Sequence, residues 1–113
     1  MHIIFFSSIE RNINIGVELR GWSEENIKKL CEEYNLIDVT DPLHRLPVFY
    51  NETLYFRLHG KYEGSKIIYK YKYSNEDLLK LKEIIGSIKV KEVYVMFNNS
   101  YMFYDAKRFL DIL

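Results

Sequence analysis

Along this chain, runs whose apolar residues recur every second position alternate with runs whose apolar residues recur every third or fourth. The first spacing puts apolar side chains on one face of a strand, and the second puts them on one stripe of a helix. Strands interleaved with helices bury both only by laying the helices on a largely parallel sheet. Ile3 to Phe6 reads as a short buried strand, followed by a polar connection over Ile9 to Asn14. Ile15 to Arg20 alternates strictly, with Ile15, Val17 and Leu19 opposite Gly16, Glu18 and Arg20. The link between these two strands is shorter than the dozen or so residues a parallel crossover needs, so they are antiparallel or are not neighbours. Ser23 is an N-cap candidate for a helix to about Tyr34, with Trp22 placed to pack on Ile27. Its stripe is Ile27, Leu30, Cys31 and Tyr34.

Leu36 to Thr40 reads as a short strand ending at Asp41-Pro42, and Pro42 to Glu52 as an ordered loop. Thr53 to Leu58 is the next strand, with Leu54, Phe56 and Leu58 opposite Tyr55, Arg57 and His59, closed by Gly60. Lys61 to Tyr73 reads as irregular or as a short extended excursion. Ser74 and Asp77 form a capping-box pattern for a helix to about Gly86, striped by Leu78, Leu81 and Ile85. Glu92 to Phe97 is a strand with Val93, Val95 and Phe97 opposite Tyr94, Met96 and Asn98. Asn98-Asn99-Ser100 reads as a turn and cap. The spacing then predicts a last helix from Tyr101 that buries Phe103, Ala106, Phe109 and Leu110 or Leu113. The result is an α/β fold with about four to five strands, mostly parallel, and three helices on one face. The other sheet face carries Glu18, Arg20, Tyr55, Arg57, His59, Tyr94 and Asn98. An open sheet leaves that face wet, whereas a barrel turns it inward.

The 113 residues suit a single domain, far short of the roughly 250 of a complete (β/α)₈ barrel. Charged residues are 28% of the chain and sum to zero, which argues against a dedicated nucleic-acid coat, since neutralising phosphates needs surplus Lys and Arg. Cys31 is the only cysteine, so no intramolecular disulfide forms and cysteine metal clusters are excluded. A reduced, cytoplasmic setting fits. No stretch reads as a signal peptide or a membrane span. Ten tyrosines in an aromatic fraction of 16% point to an interface or a lined cavity.

The polar residues gather where such folds keep their sites. Glu18, Arg20, Asp41, Arg57, His59, Asn98 and Asn99 all fall near the C-terminal ends of successive strands, the edge on which barrels and open α/β sheets bind ligands. Glu18 and His59 are the acid–base candidates. Arg20, Asp41, Arg57, Asn98 and Asn99 are the ligand-binding candidates, with the arginines suited to a phosphate or carboxylate. A structural reading stands beside this one. Arg57 would neutralise Glu18 across the sheet, Asp41-Pro42 would be a turn, and Asn98 and Asn99 would be cap and loop residues. His2, His44 and His59 are too dispersed to define a metal site, and the sequence names no cofactor. Lys66 to Tyr73 alternates Lys with Tyr, a pattern that can track single-stranded nucleic acid. Tyrosines packed on the rim of the fold account for it better.

Several of these segments resemble the domain of unknown function 72 family, also called YecE-like. Gly16-Val17-Glu18-Leu19-Arg20-Gly21-Trp22 is similar to its segment "vEfRh-sW", and Asp41-Pro42 to its "D-P". Tyr55-Phe56-Arg57-Leu58-His59-Gly60 resembles its "Y-v-R-l-H-G" strand, and Tyr73-Ser74-Asn75-Glu76-Asp77-Leu78 its "Y-s-x-e-e-L" helix start. Phe97-Asn98-Asn99 matches "F-N-N", and Ala106 falls in "N-A-x-x-L", with Asp105 where the family usually has Asn. The resemblance implies a TIM-like barrel without an established activity. It reaches only the C-terminal half of the family pattern, without the "G-t-s-G-W" strand of the other half. A half-barrel is therefore expected, functioning as an interaction or assembly subunit through its lumen face. Its partner would be a second copy or a separately encoded N-terminal half. The alternative is an anion- or nucleic-acid-binding hydrolytic site completed by a second chain.

Overall fold

A computed structural model describes residues 2–7 and 13–113. The elements in chain order are β1 (His2–Ser7), β2 (Ile13–Glu18), α1 (Glu24–Tyr34), β3 (Ile37–Asp38), β4 (Thr53–Leu58), β5 (Lys61–Glu63), β6 (Lys66–Ile68), α2 (Asn75–Ser87), β7 (Glu92–Phe97) and α3 (Met102–Ile112). The chain is thus mixed α/β, with three helices among the described residues. Much of the predicted connection between β1 and β2 lies outside them.

β1 pairs antiparallel with β2, Ile3 opposite Val17, as the short link between them requires. β2 pairs parallel with β3, and β4 pairs parallel with β7 along its whole length, Thr53 opposite Glu92 through Leu58 opposite Phe97. A lone parallel bridge, Thr40 to Phe56, joins the two groups and is sealed by the Arg57 N–H donating to Thr40 O at 2.9 Å. The spatial order is therefore β1-β2-β3-β4-β7. Among the described residues these strands do not close into a barrel. β5 and β6 form a separate antiparallel hairpin, the short extended excursion that the sequence reading sets beside an irregular one. Three-residue strands rich in Lys carry too little alternation to stand out. Gly60 makes the hairpin possible. Its φ is +132°, and a Cβ there would lie 2.1 Å from Ile68 O.

Local chemistry sets the helix ends. Ser23 accepts from Asn26 N at α1, and Asn35 closes that helix in the left-handed region. Ser74 and Asp77 form the expected capping box at α2. β2 begins two residues earlier than predicted and ends at Glu18, which leaves Arg20 in the turn beyond it. Tyr34, expected in the α1 stripe, is instead exposed, because the helix ends there. Trp22 stays 45% exposed.

The larger correction is at α3. Its buried face is Asp105 and Phe109, with Ile112 half-buried, whereas Phe103, Ala106, Leu110 and Leu113 are exposed. Ser100 provides no cap, and the N-cap position, Tyr101, makes no side-chain cap bond.

Two apolar clusters form beneath the sheet. One joins Leu54, Phe56 and Leu58 of β4 to Leu78, Leu81 and Ile84 of α2, Phe97 of β7 and Phe109 of α3. The other joins Val17 and Leu19 to Ile27 and Cys31 of α1. The helices thus cover the face predicted for them, and the strand side chains of the opposite face are free to build a site. No helix among the described residues is long and apolar enough to cross a membrane.

Candidate functional site

β2 ends at Glu18, β4 carries Arg57 and is followed by His59, and β7 is followed by Asn98. Parallel pairing in register places these ends side by side, with Asn98 N–H donating to Leu58 O at 2.8 Å. The four side chains, together with Arg20, His2 and Tyr69, line an open pocket of about 530 Å³.

Glu18 is the hub, 6% exposed. Its Oε1 accepts from Arg57 Nη1 at 2.9 Å and its Oε2 lies 2.6 Å from His59 Nε2. Arg20 Nε is 3.9 Å from the same Oε2, and Arg20 Nη2 is 3.2 Å from His59 Nε2. One ring nitrogen cannot donate to a carboxylate and accept from a guanidinium together. The shorter contact decides: Nε2–H donates to Glu18, and Arg20 is held less firmly. With its amide oxygen turned to the guanidinium, Asn98 accepts from Arg57 Nε and Nη2, both at 2.8 Å. Arg57 is thus locked between a carboxylate and an amide.

Burial alone would raise the Glu18 carboxyl. The hydrogen bond and charge of His59, then the charges of Arg57 and Arg20, outweigh it and hold the group below its ordinary value. Glu18 is therefore a stable anion and a weak base. Two guanidinium groups face one carboxylate, so the cluster carries an excess positive charge even with His59 neutral. Arg20, its side chain 50% exposed, presents that charge to solvent.

Asp41 sits behind the cluster. Its Oδ2 accepts from His59 N at 3.1 Å and its Oδ1 from Leu43 N at 3.2 Å. It thereby ties the end of β4 to the Pro42 loop, and burial raises its carboxyl despite those donors. Asn99 lies elsewhere. Its Nδ2 donates to Tyr71 O and to Asp105 Oδ2, both at 2.8 Å, in a buried network. Tyr73 N–H donates to the same Asp105 oxygen at 3.1 Å, and Arg108 Nη1 to Asp105 Oδ1 at 3.0 Å. Of the seven sequence candidates, the pocket thus gathers Glu18, Arg20, Arg57, His59 and Asn98.

Tyr69 and His2 were not singled out from sequence. Tyr69 meets the His59 ring edge-on, centroids 6.3 Å apart. Its signal was the alternating Lys and Tyr run, in which Tyr73 is buried, Tyr71 packs against the core and Tyr69 covers the pocket rim. His2 arrives because β1 pairs it with Glu18. Among the described residues no group of three or more His, Cys, Asp or Glu is arranged to hold a metal ion.

A partly parallel α/β sheet with its polar cluster at the C-terminal strand ends defines the general class. The chain belongs to the family described as protein of unknown function DUF72, whose model matches residues 4–113. No curated protein and no solved structure matches it.

Proposed function

We propose that this chain is one half of a TIM-like barrel and serves as an assembly subunit, docking through the sheet face its helices leave uncovered. The observation that carries this reading is the character of that face. Its charged groups are largely spent on each other: Glu18 holds Arg57 and His59, and Arg57 also holds Asn98. Below them Ile3 is 47% and Met96 45% exposed, and these two line a depression of about 300 Å³ with His2, Ile4, Tyr55, Arg57 and Asn98. Contiguous exposed apolar side chains rimmed by polar ones mark an interface. The occupant is a second copy of the chain, whose zero net charge sets up no repulsion between copies. A separately encoded N-terminal half is the competing occupant. Light scattering is expected to give a dimer, and Met96→Asp a monomer with unchanged circular dichroism. A wild-type monomer at every concentration removes the homodimer.

A second reading rests on the excess positive charge of the cluster. In it Arg20 and Arg57 hold an anion, Asn98 orients it, and the Glu18–His59 pair moves a proton in a hydrolysis. Arg57→Ala then abolishes phosphate binding, read by chemical-shift titration, while the chain stays folded. If Arg57→Ala unfolds the chain, Arg57 is a structural ion-pair member.

A further inference from the structure

A second pocket shares Glu18 and Arg20 with the strand-end cluster but opens among the loops. It encloses about 410 Å³, within the roughly 300–1,000 Å³ usual for small-ligand sites. The turn after β2 gives it Arg20 and Trp22, the end of the β3 segment gives Thr40 and Asp41, and the β5–β6 hairpin gives Tyr62. Three observations bear on what it holds.

The first is its walls. Trp22 is 45% exposed although it is large and apolar. Tyr62 is braced by His44, which lines the same pocket, the rings stacked 3.9 Å apart and 7° from parallel. A braced ring beside an exposed indole offers flat apolar surface to a planar partner. The second is an unused polar atom. Thr40 lines the pocket, is 3% exposed, and its Oγ1 has no hydrogen-bond partner among the described residues. Buried hydroxyls are ordinarily satisfied, so an orphan in a pocket wall calls for a partner, which a water or a ligand atom supplies. The third is the charge balance of the lining. Asp41 is held by two backbone N–H groups, and Glu18 by Arg57 and His59. Arg45 is spent on Asp38 through two bonds of 2.8 Å. Arg20 touches Tyr69 and His59, but it has the loosest ion pair of the lining, 3.9 Å to Glu18, and a side chain half exposed, so it can still turn to an anion.

We infer that this pocket binds a small planar ring bearing one anionic group. The ring lies against Trp22 and Tyr62, the anion meets Arg20, and a polar ring substituent reaches the Thr40 hydroxyl. A lone inorganic anion leaves the aromatic walls and Thr40 unused, and a neutral ring leaves Arg20 unused.

The sequence has a single tryptophan, so intrinsic tryptophan fluorescence reports on this pocket alone. Phenyl phosphate and 4-hydroxybenzoate separate the phosphate and carboxylate forms of the ligand, and inorganic phosphate and phenol test each half alone. At least one anionic ring is expected to change Trp22 emission saturably, with phosphate and phenol each much weaker. Arg20→Met should weaken that binding about tenfold and Thr40→Val about threefold, the size of one charge-assisted and one neutral hydrogen bond. Tyr62→Leu should also weaken it, with circular dichroism confirming that each variant is folded. The inference is overturned if neither anionic ring gives a saturable change, or if phosphate alone binds as well. Binding that survives both Arg20→Met and Tyr62→Leu overturns it too.

Discussion

At the scale of single residues, Glu18 decides more than any other side chain. Its carboxylate is 7% exposed and faces Arg57, itself 19% exposed, so the pair is shielded from solvent screening. Removing one member of such a pair strands the other and typically costs about 3–5 kcal/mol. Glu18→Gln keeps the shape, deletes the charge, and should destabilise the chain by an amount in that range in urea titration. The pH dependence supplies an independent check. The folded-state pKa of Glu18 is depressed below its ordinary 4.5. Its contribution is therefore complete above about pH 4.5 and is lost as pH falls through the lower folded value. Asp41 has the opposite sign, since its carboxyl is raised above 3.8 and its contribution fades as pH rises through that raised value. The difference between wild type and Glu18→Gln isolates the first effect: the stability gap should narrow in acid. A gap independent of pH would show that Glu18 acts by shape alone.

At the scale of elements, legibility followed how much of an element's burial is decided by its own pattern. Thr53–Leu58 was readable because Leu54, Phe56 and Leu58 alternate cleanly and all end at 1% exposure or less. α2 was readable because Ser74 and Asp77 announce its start. The convergence of Glu18, Arg57, His59 and Asn98 followed from parallel strands ending together, which the alternation implies. α3 was not readable, because it carries two apolar stripes. Phe103, Ala106, Leu110 and Leu113 form one; Phe109, expected to be buried and found so, sits with Ile112 on the other, beside Asp105. Hydropathy favours the first. What turns the second inward is polar: Asp105, fully buried, collects Asn99, Tyr73 N–H and Arg108. Those donors call for a carboxylate with two accepting oxygens, which Asp105 supplies. No hydropathy pattern within α3 reveals that Asp105 meets Tyr73, 32 residues earlier in the chain. The same contacts account for Asn99 leaving the pocket. The phase of α3 predicts a contrast. Phe109→Ala should cost about 3–5 kcal/mol, as for a core phenylalanine, whereas Phe103→Ser, at a site 89% exposed, should change monomer stability by no more than about 0.5 kcal/mol. Comparable losses at both positions in denaturant titration would reverse the assignment of the buried face.

At the scale of the whole molecule, one sheet rests on two cores. Val17, Leu19, Ile27 and Cys31 form the first, and the β4–β7 strands with α2 and α3 form the second. The bond inventory between them is short. Among the described residues it holds the Thr40–Phe56 bridge, the N–H of His59 on Asp41, the Glu18 bonds to Arg57 and His59, and the contacts of Arg20 with His59 and Tyr69. The strand-end cluster is thus also the clasp between two packing units, and this is why the structural and functional readings of its residues coincide. Units joined by few contacts open separately, each with its own free energy. Ile27→Ala removes a fully buried side chain from the smaller core and should cost that unit about 2–5 kcal/mol. Native-state hydrogen exchange should then show faster exchange at Val17, Ile27 and Cys31, with the amides of Leu54, Phe56 and Val95 retaining their protection. If all six amides lose protection equally, the two cores unfold as one and the clasp is as strong as the cores it joins.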